Sequence, residues 1–150
     1  MEYNSCIDER FKKQCSMLRE VVSCDFTGIA LQKHSGMDII WPYVSGNTNE
    51  KYKYITVRFG KGVAGKIISS SSPMLIEQFP ENTLGKSTDY PILLAEKLIS
   101  VYAVPIVLNG IPKGVILIGY RTLHVFTKNE RMIVEKVALS IQQYPPNYLV

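Results

Sequence analysis

Cysteine and histidine are scarce in this chain: its 150 residues hold three cysteines and two histidines. Three cysteines cannot all pair, which excludes a small scaffold held together by disulfides. Cys6, Cys15 and Cys24 are spaced nine residues apart. At about 3.6 residues per turn that spacing alternates helix faces, so they do not converge on a metal. Neither His34 nor His124 has a cysteine or histidine three or four residues on, the spacing a helical metal clamp uses. Metal, cluster, haem and chromophore chemistry are therefore not expected, and no cofactor is. Charge of one sign is also in short supply: Lys+Arg 17 against Asp+Glu 13 leaves +4. The basic residues are scattered, without the clustered stripe that nucleic-acid binding needs. No apolar run approaches the ~20 residues of a membrane span, so no membrane association is expected. The opening MEYNSCIDERFKKQCS has acidic residues and no apolar stretch, which predicts no secretory leader. The expectation is a reduced, soluble, cytoplasmic protein.

What is present suffices for a core. Apolar residues make up 46% of the chain and charged residues 20%, close to globular averages. The length suits one domain over 1–150, with a lead-in helix at 1–23, a core at 24–143 and a tail at 144–150. Residues 2–23 carry an apolar stripe of Tyr3, Ile7, Phe11, Cys15, Leu18 and Val22 against a polar back, which predicts an amphipathic helix. That stripe can pack on the domain, or pair with a partner helix or a second copy as a homodimer. Phe26–Lys33 and Met37–Val44 read as a hairpin of strands, with Pro42 marking an end, a bulge or an edge. Ser45–Lys51 reads as a loop and Tyr52–Arg58 as an extended segment.

The run from Phe59 to Ile68 places glycines before helix formers, a loop opening a helix, which Ser69–Ser72 and Pro73 end. Met74–Glu77 reads as a short strand and Pro80–Asp89 as a loop. Asp89 is placed to N-cap a helix over Pro91–Lys97. Ile99–Leu108 and Gly114–Arg121 flank Asn109-Gly110, the strongest hairpin signal in the chain. Thr127 and Glu130 form a capping box opening a helix to Gln143, with Met132, Ile133, Val137 and Ile141 on one face. Pro145-Pro146 stops it. Antiparallel strands with segregated helices make an α+β domain.

Three segments carry a resemblance: FGKGVAGKIISSSSPMLIEQFPEN, LISVYAVPIVLNGIPKGVILIGY and FTKNERMIVEKVALSI. With Gly60, Gly62, Val63, Gly65, Ser100, Pro105, Gly114, Val115 and Phe126 in place, residues 24–143 resemble the GAF domain family. The resemblance implies a five- or six-stranded antiparallel sheet, helices packed on one face, and a small-molecule pocket on the other.

GAF domains bind many ligands, so the pocket residues must decide. The cyclic-nucleotide signature is broken: Gly110 stands where a lysine belongs and Asn129 where an aspartate belongs. Free methionine sulfoxide reductases need a nucleophilic and a resolving cysteine in the pocket. Here all three cysteines precede or begin the first strand. The chain is similar instead to the stand-alone nitrate-sensing members of the family. It shares with them a lone Trp41 on the second strand, Gly-Val-Ala-Gly at a helix start, and Tyr90-Pro91-Ile92 at the next. That resemblance implies a non-enzymatic nitrate receptor with Trp41, Val63, Ala64, Tyr90, Pro91 and Ile92 as ligand residues. It also implies a partner, an oxygen-sensing histidine kinase of a two-component system.

The chemistry of these residue types is apt for nitrate. Free N–H groups at a helix start, with about half a positive charge from the dipole, suit a small anion. Val63 and Ala64 supply such groups, and Ile92 does so beyond Pro91, which has none. Trp41 offers an indole N–H and Tyr90 an O–H, each with an apolar ring face. Each residue also has a plainer use: Trp41 as core, the glycine turn as a tight helix entry, Tyr90 as a loop aromatic. Lys61 and Lys66 flank the loop, and no Lys or Arg is counted within the donor set. A neutral set predicts rejection of sulfate and phosphate. Asp38 and Glu96 read as lone solvated charges.

Overall fold

The computed structural model describes residues 2–33, 36–81, 83 and 85–143, with side chains from Glu9 onward. Chain order is α1 (Glu2–Val22), β1 (Phe26–Gln32), β2 (Asp38–Ser45), β3 (Thr56–Arg58), α2 (Gly62–Ser70), β4 (Met74–Ile76), α3 (Pro91–Ala95), β5 (Ser100–Leu108), β6 (Ile111–Tyr120) and α4 (Lys128–Gln143). The strands make one antiparallel sheet in the order β3-β2-β1-β6-β5-β4. This is the α+β architecture expected.

The sheet buries a core on each face. On one side Phe11, Cys15, Leu18 and Val22 of α1 and Val134, Ala138 and Ile141 of α4 pack against Ile29, Leu31, Ile116 and Ile118. Tyr3 and Ile7, the first members of the α1 stripe, and Cys6 lie outside the described side chains, as does the tail beyond Gln143. On the other side, α2 and α3 cover Phe26, Ala30, Val101 and Leu117. The long helices thus occupy one face. The short ones stand on the opposite face, where a pocket is expected.

Pro42 sits at a bulge. Tyr43 pairs with Ile29 and Ile40 with Leu31, so Trp41 and Pro42 together oppose Ala30. β3 pairs only with Asp38–Ile40. Beyond Ile40 the outer side of β2 needs no ladder donor, and a residue without N–H is tolerated there. At the β5–β6 hairpin Asn109 and Gly110 have φ of 53° and 78°, the doubly positive pair that a type I′ turn requires. Thr127 and Glu130 form the expected capping box: Glu130 N–H donates to Thr127 Oγ1 at 3.1 Å and Thr127 N–H to Glu130 Oε1 at 2.8 Å.

Several expectations differ in detail. Only Thr56–Arg58 of the Tyr52–Arg58 segment is a strand; Lys51–Tyr54 is a 3-10 turn. Tyr90, not Asp89, is the N-cap of α3. The Asp89 carboxylate turns back to accept from Lys86 N–H at 3.0 Å, closing a 3-10 turn over Ser87–Asp89. Helix α3 stops at Ala95, short of Lys97, which adopts a left-handed φ of 55°. On α4 the buried residues are Val134, Ala138 and Ile141, while Met132 is exposed. Strand β6 begins at Ile111, three residues before the Gly114 expected.

Glu96 is a correction of substance. Far from solvated, it is fully buried, with Oε1 accepting from Arg121 Nη2 at 2.7 Å and from Thr48 N–H at 2.8 Å. Arg121 also donates to the carbonyls of Glu96 (2.8 Å) and Gly46 (3.0 Å), tying β6 to α3 and to the loop after β2. Asp38 is half-buried rather than solvated.

Candidate functional site

Five of the six residues singled out from sequence meet in one apolar cluster on the α2–α3 face: Trp41, Val63, Ala64, Tyr90 and Ile92 are each at most 3% exposed. Pro91, the sixth, is half-buried at the first position of α3.

Trp41 points to this face with Ile39, two residues before it on the strand, and the bulge at Pro42 then turns Tyr43 to the α1 side. Its indole needs room from the neighbouring strand. A Cβ on Gly28 of β1 would lie 3.1 Å from Trp41 Cε3 and 3.2 Å from Cζ3. A bare Gly28 is therefore the floor on which the indole rests.

Val63 and Ala64 are the second and third residues of α2. Lys61, the N-cap, is extended (φ −116°, ψ 145°) and makes no side-chain cap, and the first turn contains no acid. The helix start thus carries its partial positive charge without a local carboxylate to offset it. The preceding turn is held by Gly60 N–H donating to Gly65 O at 2.9 Å. A Cβ on Gly65 would collide with the Arg58 carbonyl, so only glycine lets the loop close this tightly.

The second half of the site abuts the first. A Cβ on Gly62 would come within 3.7 Å of the Asp89 carbonyl, so the start of α2 adjoins the residue preceding Tyr90. Tyr90 is buried edge-to-face against Phe79, ring centroids 5.8 Å apart. Its carbonyl accepts from Leu93 and Leu94 N–H, which opens α3. Pro91 has no N–H, so the first amide of that helix belongs to Ile92.

Lys66, expected to flank the loop, lies against Tyr90. Its ammonium donates to the Tyr90 hydroxyl at 2.6 Å and stands 4.6 Å from the ring centroid. Lys61, in contrast, is exposed. Three residues that sequence reasoning did not place here therefore shape the site: Gly28, Lys66 and Phe79. Lys66 was legible in principle, since it follows Val63 by three residues and shares its helix face. Gly28 and Phe79 were not, because nothing local to either says which strand or loop it will meet.

The thiols stand elsewhere. Cys15 and Cys24 are buried in the core on the α1 side of the sheet. Burial pushes the Cys15 thiol up to about 12 and the Cys24 thiol up to about 11. Neither is a thiolate at neutral pH, and a thiol without thiolate character is a poor nucleophile. Among the described residues no cluster of three or more His, Cys, Asp or Glu could hold a metal. Nor, among them, is any helix long and apolar enough to cross a membrane.

This arrangement, a six-stranded antiparallel sheet with a buried apolar cluster under two short helices, belongs to a known class. The GAF domain model matches residues 7–143, and the chain belongs to the GAF domain family. Within that class it is similar to a structure of NreA from Staphylococcus aureus, mutated in its nitrate-binding site. Identity is 34% over 83% of this chain and 94% of that one, with a TM-score of 0.72. A hypothetical protein from S. aureus is 36% identical over 79% of this chain and 98% of its own, also with a TM-score of 0.72. A free methionine-R-sulfoxide reductase from Neisseria meningitidis superposes with a TM-score of 0.76 over 95% of this chain and 81% of its own, at 15% identity, a likeness of fold alone. No curated protein matches the sequence.

Proposed function

We propose that this protein is a cytoplasmic, non-enzymatic receptor that binds nitrate between β2, α2 and α3 and alters the activity of a sensor histidine kinase of a nitrate/oxygen two-component system. The observation that carries the reading is the meeting of Trp41, the uncapped start of α2 and Tyr90 in one buried cluster. Likeness to NreA, whose nitrate-binding site was the object of mutation, supports it.

In this reading the N–H groups of Val63 and Ala64 bind nitrate oxygens on the helix axis, where the dipole favours an anion. Ile92 N–H, the Trp41 indole N–H and the Tyr90 O–H supply further donors, and Pro91 fixes the turn that aims Ile92. The rings of Trp41 and Tyr90 wall the flat ion off from water. Nitrate spreads one charge over three oxygens, so it loses less hydration on entry than sulfate or phosphate. Its affinity falls roughly between micromolar and millimolar, because few donors contribute.

The kinase meets the helical face. Met17 and Val21 of α1 and Leu139 of α4 are 54%, 64% and 59% exposed. The groove between the two helices, about 310 Å³, is lined by Gln14, Met17, Leu18, Val21, Ile133 and Val137 among others. The same face serves a homodimer if one forms. A reductase reading would need a thiol at the site, and the described cysteines lie on the other face of the sheet. The test is calorimetric titration with nitrate, alongside an assay of free methionine sulfoxide turnover with a thiol reductant. Nitrate heat without turnover supports the receptor, and turnover without nitrate heat supports the enzyme.

A further inference from the structure

We propose that Lys66 supplies the charge of the anion site and acts on the ligand through Tyr90. The inference rests on the nitrate reading of that site. It starts from a half-buried ammonium that meets a phenol instead of a carboxylate. The Lys66 ammonium lies 2.6 Å from the Tyr90 hydroxyl and 4.6 Å from its ring centroid, while Tyr90 is 3% exposed. Ion pairs among the described residues join Lys53 to Glu50, Arg121 to Glu96 and His124 to Glu130; Lys66 takes part in none. Asp89 precedes Tyr90 directly, but its carboxylate is held by Lys86 N–H.

A cation drawn partly out of water without a counter-ion keeps its field and attracts an anion. Lys66 shares a helix face with Val63 at i,i+3, so that field adds to the partial charge at the start of α2. A hydroxyl that accepts from an ammonium also becomes a stronger donor through its own proton. Charge thus reaches the ligand by way of the phenol. One positive charge balances one negative charge, so monovalent anions are matched and the second charge of sulfate is left uncompensated. Lys66 is in this sense a positioning and specificity-determining residue.

The experiment is nitrate titration of wild type, K66M, K66R, Y90F and K66M/Y90F, read by calorimetry and Trp41 fluorescence. It is repeated over a range of ionic strength set with sodium gluconate, with a thermal melt of each variant. K66M is expected to weaken nitrate binding by about tenfold or more and to flatten its dependence on ionic strength. K66R is expected to retain most of the affinity and the slope. The double variant is expected to lose less than the product of the two single losses, because the charge acts through the phenol. Should K66M fail to fold, K66Q is read in its place: affinity and slope lost in K66Q and kept in K66R support the role of Lys66, and both kept in K66Q overturn it. Nitrate binding by wild type with unchanged affinity and slope in K66M overturns the role of Lys66 and leaves the nitrate reading standing. No nitrate binding by wild type overturns both.

Discussion

Arg121 and Glu96 form an ion pair with Nη2 and Oε1 2.7 Å apart and a carboxylate wholly removed from solvent. The guanidinium satisfies the Glu96 and Gly46 carbonyls as well, so one side chain joins the end of β6, the end of α3 and the loop following β2. Helix α3 begins with Tyr90, Pro91 and Ile92 of the candidate site and ends at this pair. The ion pair therefore anchors from below the element that presents those residues above.

Removing the arginine leaves the buried Glu96 carboxylate without its counter-ion and takes a donor from the Glu96 and Gly46 carbonyls. Arg121→Ala is expected to destabilise the protein by about 3–5 kcal/mol, the cost of breaking a buried pair from one side. A lower midpoint in urea unfolding, with unchanged slope, is the expected measurement. Glu96→Gln keeps an acceptor for Arg121 and is expected to cost clearly less.

At the site itself, Tyr90→Phe removes one O–H and keeps the ring against Phe79. It is expected to weaken nitrate by about 0.5–1.5 kcal/mol if that O–H donates to the ligand. Tyr90→Ala opens the wall and is expected to cost more. Calorimetry on both variants checks the order; equal binding in wild type and Tyr90→Ala would place the ligand elsewhere.

Thiol chemistry can be tested by deletion. Replacing Cys6, Cys15 and Cys24 together by serine is expected to leave nitrate binding intact. The two buried thiols lie on the opposite face of the sheet, and a serine at 15 keeps a donor for the Tyr43 carbonyl. Loss of binding in a triple variant that still melts cooperatively would argue for a thiol mechanism.

The capping box predicts a pH dependence. Glu130 is partly desolvated, which raises its pKa, but the Thr127 N–H, His124 and the Tyr120 hydroxyl outweigh this and hold it below the usual value. A carboxylate depressed in the folded state contributes stability that is fully present above its unfolded pKa of about 4.3. That contribution is lost as pH falls through the lower, folded value. Glu130→Gln is expected to be less stable than wild type at neutral pH, with the gap narrowing in acid. Chemical denaturation at a series of pH values measures it, and a constant gap would assign the loss to geometry alone.

Contact with a kinase should be separable from ligand binding. Met17→Glu, Val21→Glu and Leu139→Glu alter exposed side chains on α1 and α4, on the face of the sheet opposite the site. Each is expected to keep nitrate affinity and to abolish control in an autophosphorylation assay with the kinase present. Variants across both helices that still regulate would move the contact to another surface.

Elements whose signal is local were legible from sequence. The Asn109-Gly110 turn, the Thr127–Glu130 box and the α1 stripe each depend on residues within a turn or two of each other. Trp41, Val63, Ala64, Tyr90 and Ile92 could be chosen from their chemistry and the family resemblance, and the fold brings them into one buried cluster. What escaped depends on tertiary pairing. Glu96 looked solvated because Arg121, its partner, is 25 residues away. Gly28 matters only because β1 lies beside Trp41. Asp89 has the right chemistry for an N-cap, but its carboxylate closes the preceding turn and leaves Tyr90 to begin α3. Lys66 reads in sequence as a charge flanking the loop, and only the fold shows that it meets Tyr90, 24 residues on.

The central claim is that the cluster of Trp41, the α2 start and Tyr90 holds nitrate. A single calorimetric titration of the wild-type protein with nitrate, run in parallel with sulfate, tests it most directly. The expected result is saturable binding at one site per chain, with a Kd roughly between micromolar and millimolar and no heat from sulfate. Absence of nitrate heat at concentrations beyond that range, or sulfate binding as tight as nitrate, would contradict it.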